Sequence, residues 1–196
     1  CFSTHAQEKQ NPTTSSLIKK FHINSKKSLV ANDPLVKDLR FFLNQEQTSP
    51  EKKAVITALL LSHFQEKGQL LEFKTLYKKS YSSFKEYPLK KYFWESVYYN
   101  YTSNYYKSLA ASKNHLKESK KNGDNDALSS SYRILAISNM YLNNKDSSLY
   151  YSNLSLNFAR RSNSENAILK TFKTQSEIYN HFGMIGQSTS VLIKFI

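Results

Sequence analysis

Histidine, cysteine and acidic residues could carry chemistry in this chain, but they do not cluster in the sequence. The one cysteine, Cys1, excludes an intrachain disulfide framework and a metal cluster built on cysteine. No two histidines stand at the spacing of a metal-binding pair on one helix face. The five histidines are His5, His22, His63, His115 and His181. We therefore predict no metal site and no cofactor.

Motifs of known catalytic sites do not occur in the sequence. There is no nucleophile elbow and no glycine-rich phosphate loop. Acidic residues such as Glu165 and Glu177 stand alone in segments rich in lysine and asparagine, where a solvated role is the expected one. We predict that the protein is not an enzyme and has no catalytic residues.

Lysine gives the 196-residue chain a formal net charge of +13, which can attract nucleic acid, anionic lipid or acidic proteins. Tyrosines are abundant among the lysine pairs, and such a mixture can hold single-stranded nucleic acid. The pairs are Lys19-Lys20, Lys26-Lys27, Lys78-Lys79, Lys90-Lys91 and Lys120-Lys121. Most lie near predicted helix ends, where the helix dipole favours cations. A basic adaptor for an acidic partner or nucleic acid is therefore the alternative function, with nucleic acid disfavoured.

The first seven residues have the pattern of the end of a secretory signal peptide. Thr4 and Ala6 are the small residues before a cleavage site that would leave Gln7 as the new N-terminus. A second interpretation makes Cys1 the lipid-modified first residue of a lipoprotein, and a third gives the segment no such role. The first two predict a bacterial periplasm or membrane surface. Residues 1–33 are thus predicted to be a signal-peptide remnant and a polar, flexible linker.

Residues 34–196 carry apolar residues at helical spacing, interrupted by short polar breaks. Asp33-Pro34 and Ser49-Pro50 each combine a capping residue with a proline suited to the first turn, so both predict helix starts. Lys67-Gly68 and Lys145-Asp146 predict breaks between helices. The sequence therefore predicts an all-α domain of paired helices, without the ~20-residue apolar run that spans a bilayer.

The predicted helix pairs recur along the chain. The first helix of each pair carries an aromatic residue about four positions before the turn, at intervals of 37, 40 and 38 residues. These aromatic residues are Phe64, Tyr101, Tyr141 and Tyr179. One helix pair cannot bury its own apolar face, so neighbouring pairs must stack. We predict that the four rings are packing residues of units spanning roughly 50–86, 87–123, 126–163 and 165–196.

This pattern resembles the tetratricopeptide repeat family. The matching residues are Trp94, Val97, Tyr101 and Ala110 in one unit, Ile134, Ile137, Ser138 and Tyr141 in the next, and Phe172, Ser176, Tyr179, Gly183 and Ser188 in the last. The units exceed the usual ~34 residues, the closing proline is missing, and Tyr98 and Gln175 replace the usual small and apolar residues. The resemblance implies antiparallel helix hairpins stacked as a right-handed solenoid.

In that family the first helices line a concave groove that holds an extended peptide or a partner helix. The resemblance places eight residues of this chain in such a groove: Glu95, Tyr99, Ser103, Asn139, Asn143, Lys173, Glu177 and Asn180. Asparagine suits this role because its amide both donates and accepts hydrogen bonds. We therefore predict a non-enzymatic domain that binds a protein or peptide partner.

The apolar segment Ser190–Ile196 is followed by no polar capping helix, whereas the ends of solenoids are normally capped. We expect either a continuation of the chain or a homodimer formed through this end. Exported helical repeats in bacteria often precede a membrane helix and a regulatory domain, so the predicted context is the sensory part of a regulator. Membrane attachment would come through a lipidated Cys1 or such a downstream segment.

Overall fold

The computed structural model of the protein describes Ser16 and residues 34–193. Every regular element in this part of the chain is helical, which confirms the predicted all-α class. The chain forms two compact units divided after Ser83, and each is described by itself. The predictions for residues 1–33 (Ser16 apart) and for the C-terminal end at Ile196 lie outside the described residues and stay predictions.

Between residues 34 and 83 the first unit contains three α-helices, and a 3-10 turn at Tyr81–Phe84 follows across the boundary. The helices are α1 (Pro34–Asn44), α2 (Pro50–Glu66) and α3 (Leu70–Ser80). α1 and α2 begin at the two predicted prolines, Pro34 and Pro50, while the predicted cap Asp33 lies outside the described residues. The Ser49 hydroxyl caps α2 by accepting from the Lys52 amide at 3.4 Å. α2 packs against both α1 and α3, and its buried face carries Leu60 and Phe64.

As far as residue 193, the second unit contains six α-helices in three antiparallel pairs. They are α4 (Pro88–Tyr101), α5 (Tyr105–Asn122), α6 (Asn125–Tyr141), α7 (Lys145–Arg161), α8 (Glu165–His181) and α9 (Ile185–Ile193). Each helix packs against the next along the chain, and in addition α4 packs against α6 and α6 against α8. The first helices of the three pairs are therefore neighbours in space.

The turn inside each pair of the second unit recurs at a constant interval along the chain. Ser103, Asn143 and Gly183 occupy the same turn position, with positive φ angles of 55°, 56° and 70°. We call the step from Ser103 to Asn143, which equals the step from Asn143 to Gly183, the repeat interval. In each turn the following amide donates to a carbonyl of the preceding helix: Asn104 to Tyr99 at 2.8 Å, Asn144 to Asn139 at 2.9 Å and Met184 to Tyr179 at 2.8 Å. The helix pairs therefore share one backbone turn, although three different residues adopt the left-handed conformation.

The structure corrects three predictions about the paired helices. Tyr141 lies in the same place as Tyr101 and His181, and not in the place of Tyr179, so the last predicted spacing, from Tyr141 to Tyr179, was wrong. Lys145-Asp146 is not a break, because α7 begins at Lys145 and the turn occupies residues 142–144. The ring of Tyr141 is 39% exposed, so it is not the buried packing residue that we predicted.

Buried serines join the two helices of each pair. Ser108, Ser148 and Ser188 are separated by the repeat interval, lie near the start of the second helix and are at most 3% exposed. Each hydroxyl donates to a carbonyl of the first helix: Ser108 to Ser96 at 2.9 Å, Ser148 to Ala136 at 2.9 Å and Ser188 to Ser176 at 3.2 Å. The small side chain lets the helices approach closely, and the hydrogen bond removes the penalty of burying a hydroxyl.

A second buried polar contact joins successive pairs. His115 on α5 and Ser131 on α6 lie 2.7 Å apart through Nδ1 and Oγ. The corresponding atoms one repeat interval later are the hydroxyls of Ser155 on α7 and Thr171 on α8, which lie 3.0 Å apart. Burial, with a smaller effect from the charge of Arg133, lowers the pKa of His115 to about 4. The imidazole at this junction is therefore neutral in the folded protein near pH 7.

Candidate functional site

The neighbouring first helices α4, α6 and α8 carry the residues that the sequence predicted for a groove. We call their accessible side, with the turn after each helix, the first-helix surface. Side chains four residues apart share one face of a helix, which groups Glu95 with Tyr99 on α4 and Lys173 with Glu177 on α8. We assign to this surface Glu95, Tyr99, Ser103, Arg133, Tyr141, Asn143, Lys173, Glu177, Asn180 and His181, all of which are half-buried or exposed. Arg133 and Lys173 are equivalent by the repeat interval, whereas Glu95 and Tyr99 lie one interval before Leu135 and Asn139, which are buried.

The α4 part of the surface combines an acid with an aromatic ring. Glu95 and Tyr99 are both half-buried. Burial raises the pKa of the Glu95 carboxyl, and the nearby charge of Lys91 opposes that rise. The Lys107 ammonium stands 5.7 Å from the centre of the Tyr99 ring, a distance typical of a cation–π contact. Ser103 is exposed in the turn that follows α4.

The two asparagines predicted on α6 have different places. Asn139 is only 5% exposed, and its amide donates to the Leu135 carbonyl at 2.8 Å and accepts from the Asn144 amide at 3.4 Å. Its amide groups are therefore used inside the protein, and we correct the prediction by leaving it out of the surface. Asn143 is exposed in the turn, and its Oδ1 lies 3.0 Å from Nε2 of His181. This bond joins two successive helix pairs.

Arg133 is a functional candidate that is not among the residues predicted from the sequence. It is half-buried on α6, and burial lowers the pKa of its guanidinium while the charge of Glu177 opposes that change. Within residues 34–193 no carboxylate lies within 4.0 Å of this guanidinium. One available signal was its rarity, because arginine is scarce beside lysine in this chain. A partly desolvated arginine suits recognition of a carboxylate.

Tyr141 adds an accessible aromatic group to the same region. Its ring stacks on Tyr105 with 4.9 Å between ring centres and 8° between planes. Burial raises the pKa of the Tyr141 hydroxyl, and the charge of Glu177 and then Tyr105 add to the rise. Glu177 is thus close enough to influence the pKa values of both Arg133 and Tyr141. Lys173, Glu177 and Asn180 are all exposed on α8. The centre of the surface therefore offers both charge signs beside an aromatic ring.

A shallow cavity of about 250 Å³ lies elsewhere in the second unit, where α4 and α6 begin. It is lined by Trp94, His115, Asp124 and Asp126, among others. Asp124 caps α6 by accepting from the Asp126 amide at 3.0 Å, and the Asp126 carboxylate accepts from the Ser162 hydroxyl at 3.2 Å. These carboxylates therefore stabilise the start of α6. In the described residues no three His, Cys, Asp or Glu side chains are placed to hold a metal ion.

No protein-family model matches the chain, and no curated protein is significantly similar to it. None of the helices between residues 34 and 193 has the length and apolar character needed to cross a membrane.

Proposed function

We propose that α4–α9 form a tetratricopeptide-like interaction domain whose first-helix surface binds an extended segment of a partner protein. The observation that carries the proposal is the direct packing of α4, α6 and α8, with charged, amide and tyrosine side chains on their accessible side. A non-enzymatic role as the sensory part of an extracytoplasmic bacterial regulator belongs to the same proposal.

The dimensions of the surface fit an extended peptide. Packed helices lie roughly 8–10 Å apart, and an extended chain advances roughly 3.3 Å per residue. Each helix therefore corresponds to about three peptide residues, and the three first helices to roughly six to nine. The repeat interval places the turn residues Ser103 and Asn143 at equivalent points along such a peptide, and it likewise relates Arg133 to Lys173.

The charges define the kind of peptide. Arg133 and Lys173 can bind acidic side chains of the partner, and Glu95 and Glu177 can accept from its basic or amide groups. Tyr99 and Tyr141 supply flat apolar contact with few rotatable bonds, which lowers the entropy lost on binding. The proposed partner segment is therefore extended, carries both charge signs and contains apolar residues.

Selection from a random peptide library displayed on phage tests the proposal. Binding of an enriched peptide is then measured by fluorescence anisotropy with the full chain. Lys173→Glu and Glu177→Lys should each weaken binding at least tenfold, because each reverses a charge that faces the peptide. Lys113→Glu, at an exposed position of the second helix α5, should change affinity less than twofold. No enrichment, or equal effects of all three substitutions, would refute the proposal.

Salt dependence separates this function from the basic-adaptor alternative. Binding to phosphates weakens strongly between roughly 50 and 200 mM salt. A peptide held by a few charge pairs should lose little affinity over the same range. A single-stranded oligonucleotide held by six or more phosphate contacts should lose ~10³-fold or more. Tight oligonucleotide binding with that steep slope would favour the alternative.

A further inference from the structure

A cavity of about 360 Å³ lies in the first unit, between α1 and α3. This volume is at the lower end of the ~300–1,000 Å³ range of small-molecule sites. Leu43, Leu71 and Leu76 form apolar parts of its lining. Leu71 is 75% exposed, so an apolar ligand in the cavity would remove some of its side-chain surface from water. The cavity therefore favours a ligand with an apolar portion.

The polar groups of the cavity carry a net positive charge. Arg40 and Lys79 contribute two cations and Glu72 one carboxylate. The Lys79 ammonium donates to Oδ1 of Asn44 at 3.1 Å, and the Arg40 guanidinium stands 5.1 Å from the centre of the Phe64 ring. Among the described residues no carboxylate lies within 4.0 Å of either cation. Both cations therefore keep donors that can bind an anion.

We propose that this cavity binds an apolar monocarboxylate. The leucines contact the apolar portion, and Arg40 and Lys79 bind the carboxylate. The one excess positive charge of the cavity matches a ligand with one carboxylate. A doubly charged group such as a phosphate monoester is disfavoured, because the Glu72 carboxylate would repel its second negative charge. The ligand is a medium-chain fatty acid or the C-terminal apolar residue of a peptide, which share this chemistry. The site goes beyond the proposed function, because it lies in the other unit and uses none of the first-helix surface.

Isothermal titration calorimetry of the full chain tests the site with defined probes. Decanoate and a tetrapeptide ending in Leu-Leu with a free carboxylate represent the two sources. The controls for charge are 1-decanol, decyl phosphate and the same tetrapeptide with an amidated end. At least one carboxylate probe should bind with one-to-one stoichiometry, and its uncharged counterpart should bind at least tenfold more weakly. Decyl phosphate should also bind more weakly than decanoate.

Three variants identify the residues, and thermal melting confirms that each is folded. Lys79→Gln should weaken binding about tenfold, because a charge-assisted hydrogen bond is lost. Leu71→Asn should weaken it through lost apolar contact. Lys78→Gln changes the neighbouring exposed lysine outside the cavity lining and should leave affinity within twofold. The proposal is overturned if neither carboxylate probe binds, or if binding is the same in the Lys79→Gln and Lys78→Gln variants.

Discussion

The buried imidazole of His115 makes the stability of the second unit depend on pH. The side chain is 4% exposed and packs between α5 and α6. Its pKa is lowered from 6.5 to about 4 in the folded protein. Below pH 6.5 the His115 imidazole therefore binds a proton in the unfolded chain, whereas in the folded chain it binds one only near pH 4. Stability contributed by the neutral form is complete above pH 6.5 and is lost as the pH falls to about 4.

The size of the effect follows from the pKa difference. Each pKa unit corresponds to roughly 1.4 kcal/mol, so the lowering from 6.5 to about 4 corresponds to about 3 kcal/mol of unfolding free energy. That loss is a large part of the ~5–15 kcal/mol stability of a typical domain. The single tryptophan, Trp94, lies in the second unit. Urea unfolding followed by its fluorescence therefore reports this unit.

Urea unfolding of the wild type and His115→Gln at several values between pH 7 and pH 4 tests the reasoning. Glutamine keeps an amide that can hydrogen-bond to Ser131 but does not titrate, so the variant should lose most of the pH slope even if it is less stable overall. His181→Gln changes an exposed histidine and should keep the wild-type slope. Parallel curves for wild type and His115→Gln would refute the argument, as would an NMR titration that places the pKa of His115 above 6.

The same fluorescence assay checks three further predictions. Ser148→Ala should lower the free energy of unfolding by about 1 kcal/mol, since one net buried hydrogen bond is lost. The control Ser147→Ala, at an exposed position, should change it by less than ~0.5 kcal/mol. Equal effects of the two substitutions would count against the serine contact. Ser103→Gly should stabilise the unit by about 0.5–1 kcal/mol because Gly adopts φ 55° without strain, and a loss of stability would contradict this. Asn143→Ala should lower the free energy of unfolding by about 1 kcal/mol and by more than Asn143→Gly, because both variants lose the His181 hydrogen bond but only Ala is strained at φ 56°; the reverse order would contradict the backbone argument.

Helices were predictable from the sequence because their signals are local. Ser49-Pro50 and Lys67-Gly68 mark a start and an end by capping and backbone chemistry that act within one turn. The apolar spacing then fixes the all-α class. The structure bears out these signals at the helix starts and ends they mark, with Lys145-Asp146 as the exception.

The repeat interval was less predictable because different residues fill equivalent positions. Ser103, Asn143 and Gly183 share one backbone conformation, and only Gly183 stands out in the sequence as a turn residue. Aromatic spacing led to Tyr179, although the turn geometry pairs Tyr141 with His181. The regular signal was instead the set of buried serines that recurs at the repeat interval, and such serines do not stand out in a serine-rich chain.

The candidate site was predictable in its helices but not in each of its residues. Lys173, Glu177 and Asn180 are exposed on α8, but their positions were counted from Tyr179, which is not equivalent to Tyr141, so their place in a groove stays a prediction. The burial of Asn139 depends on hydrogen bonds to Leu135 and Asn144, which residue type alone does not reveal. Arg133 became a candidate because no carboxylate among the described residues lies within 4.0 Å of its guanidinium. The sequence does not show which groups surround a side chain in the folded protein.

Photo-crosslinking tests the proposed peptide surface most directly. Benzoylphenylalanine replaces Tyr141 on the first-helix surface in one variant and Tyr150 on the second helix α7 in another, and both tyrosines are accessible, at 39% and 60% exposure. With the library-selected peptide bound, the position 141 variant should form a crosslink to the peptide, and the position 150 variant should not. Crosslinking from position 150 alone, or equally from both positions, would contradict binding along α4, α6 and α8.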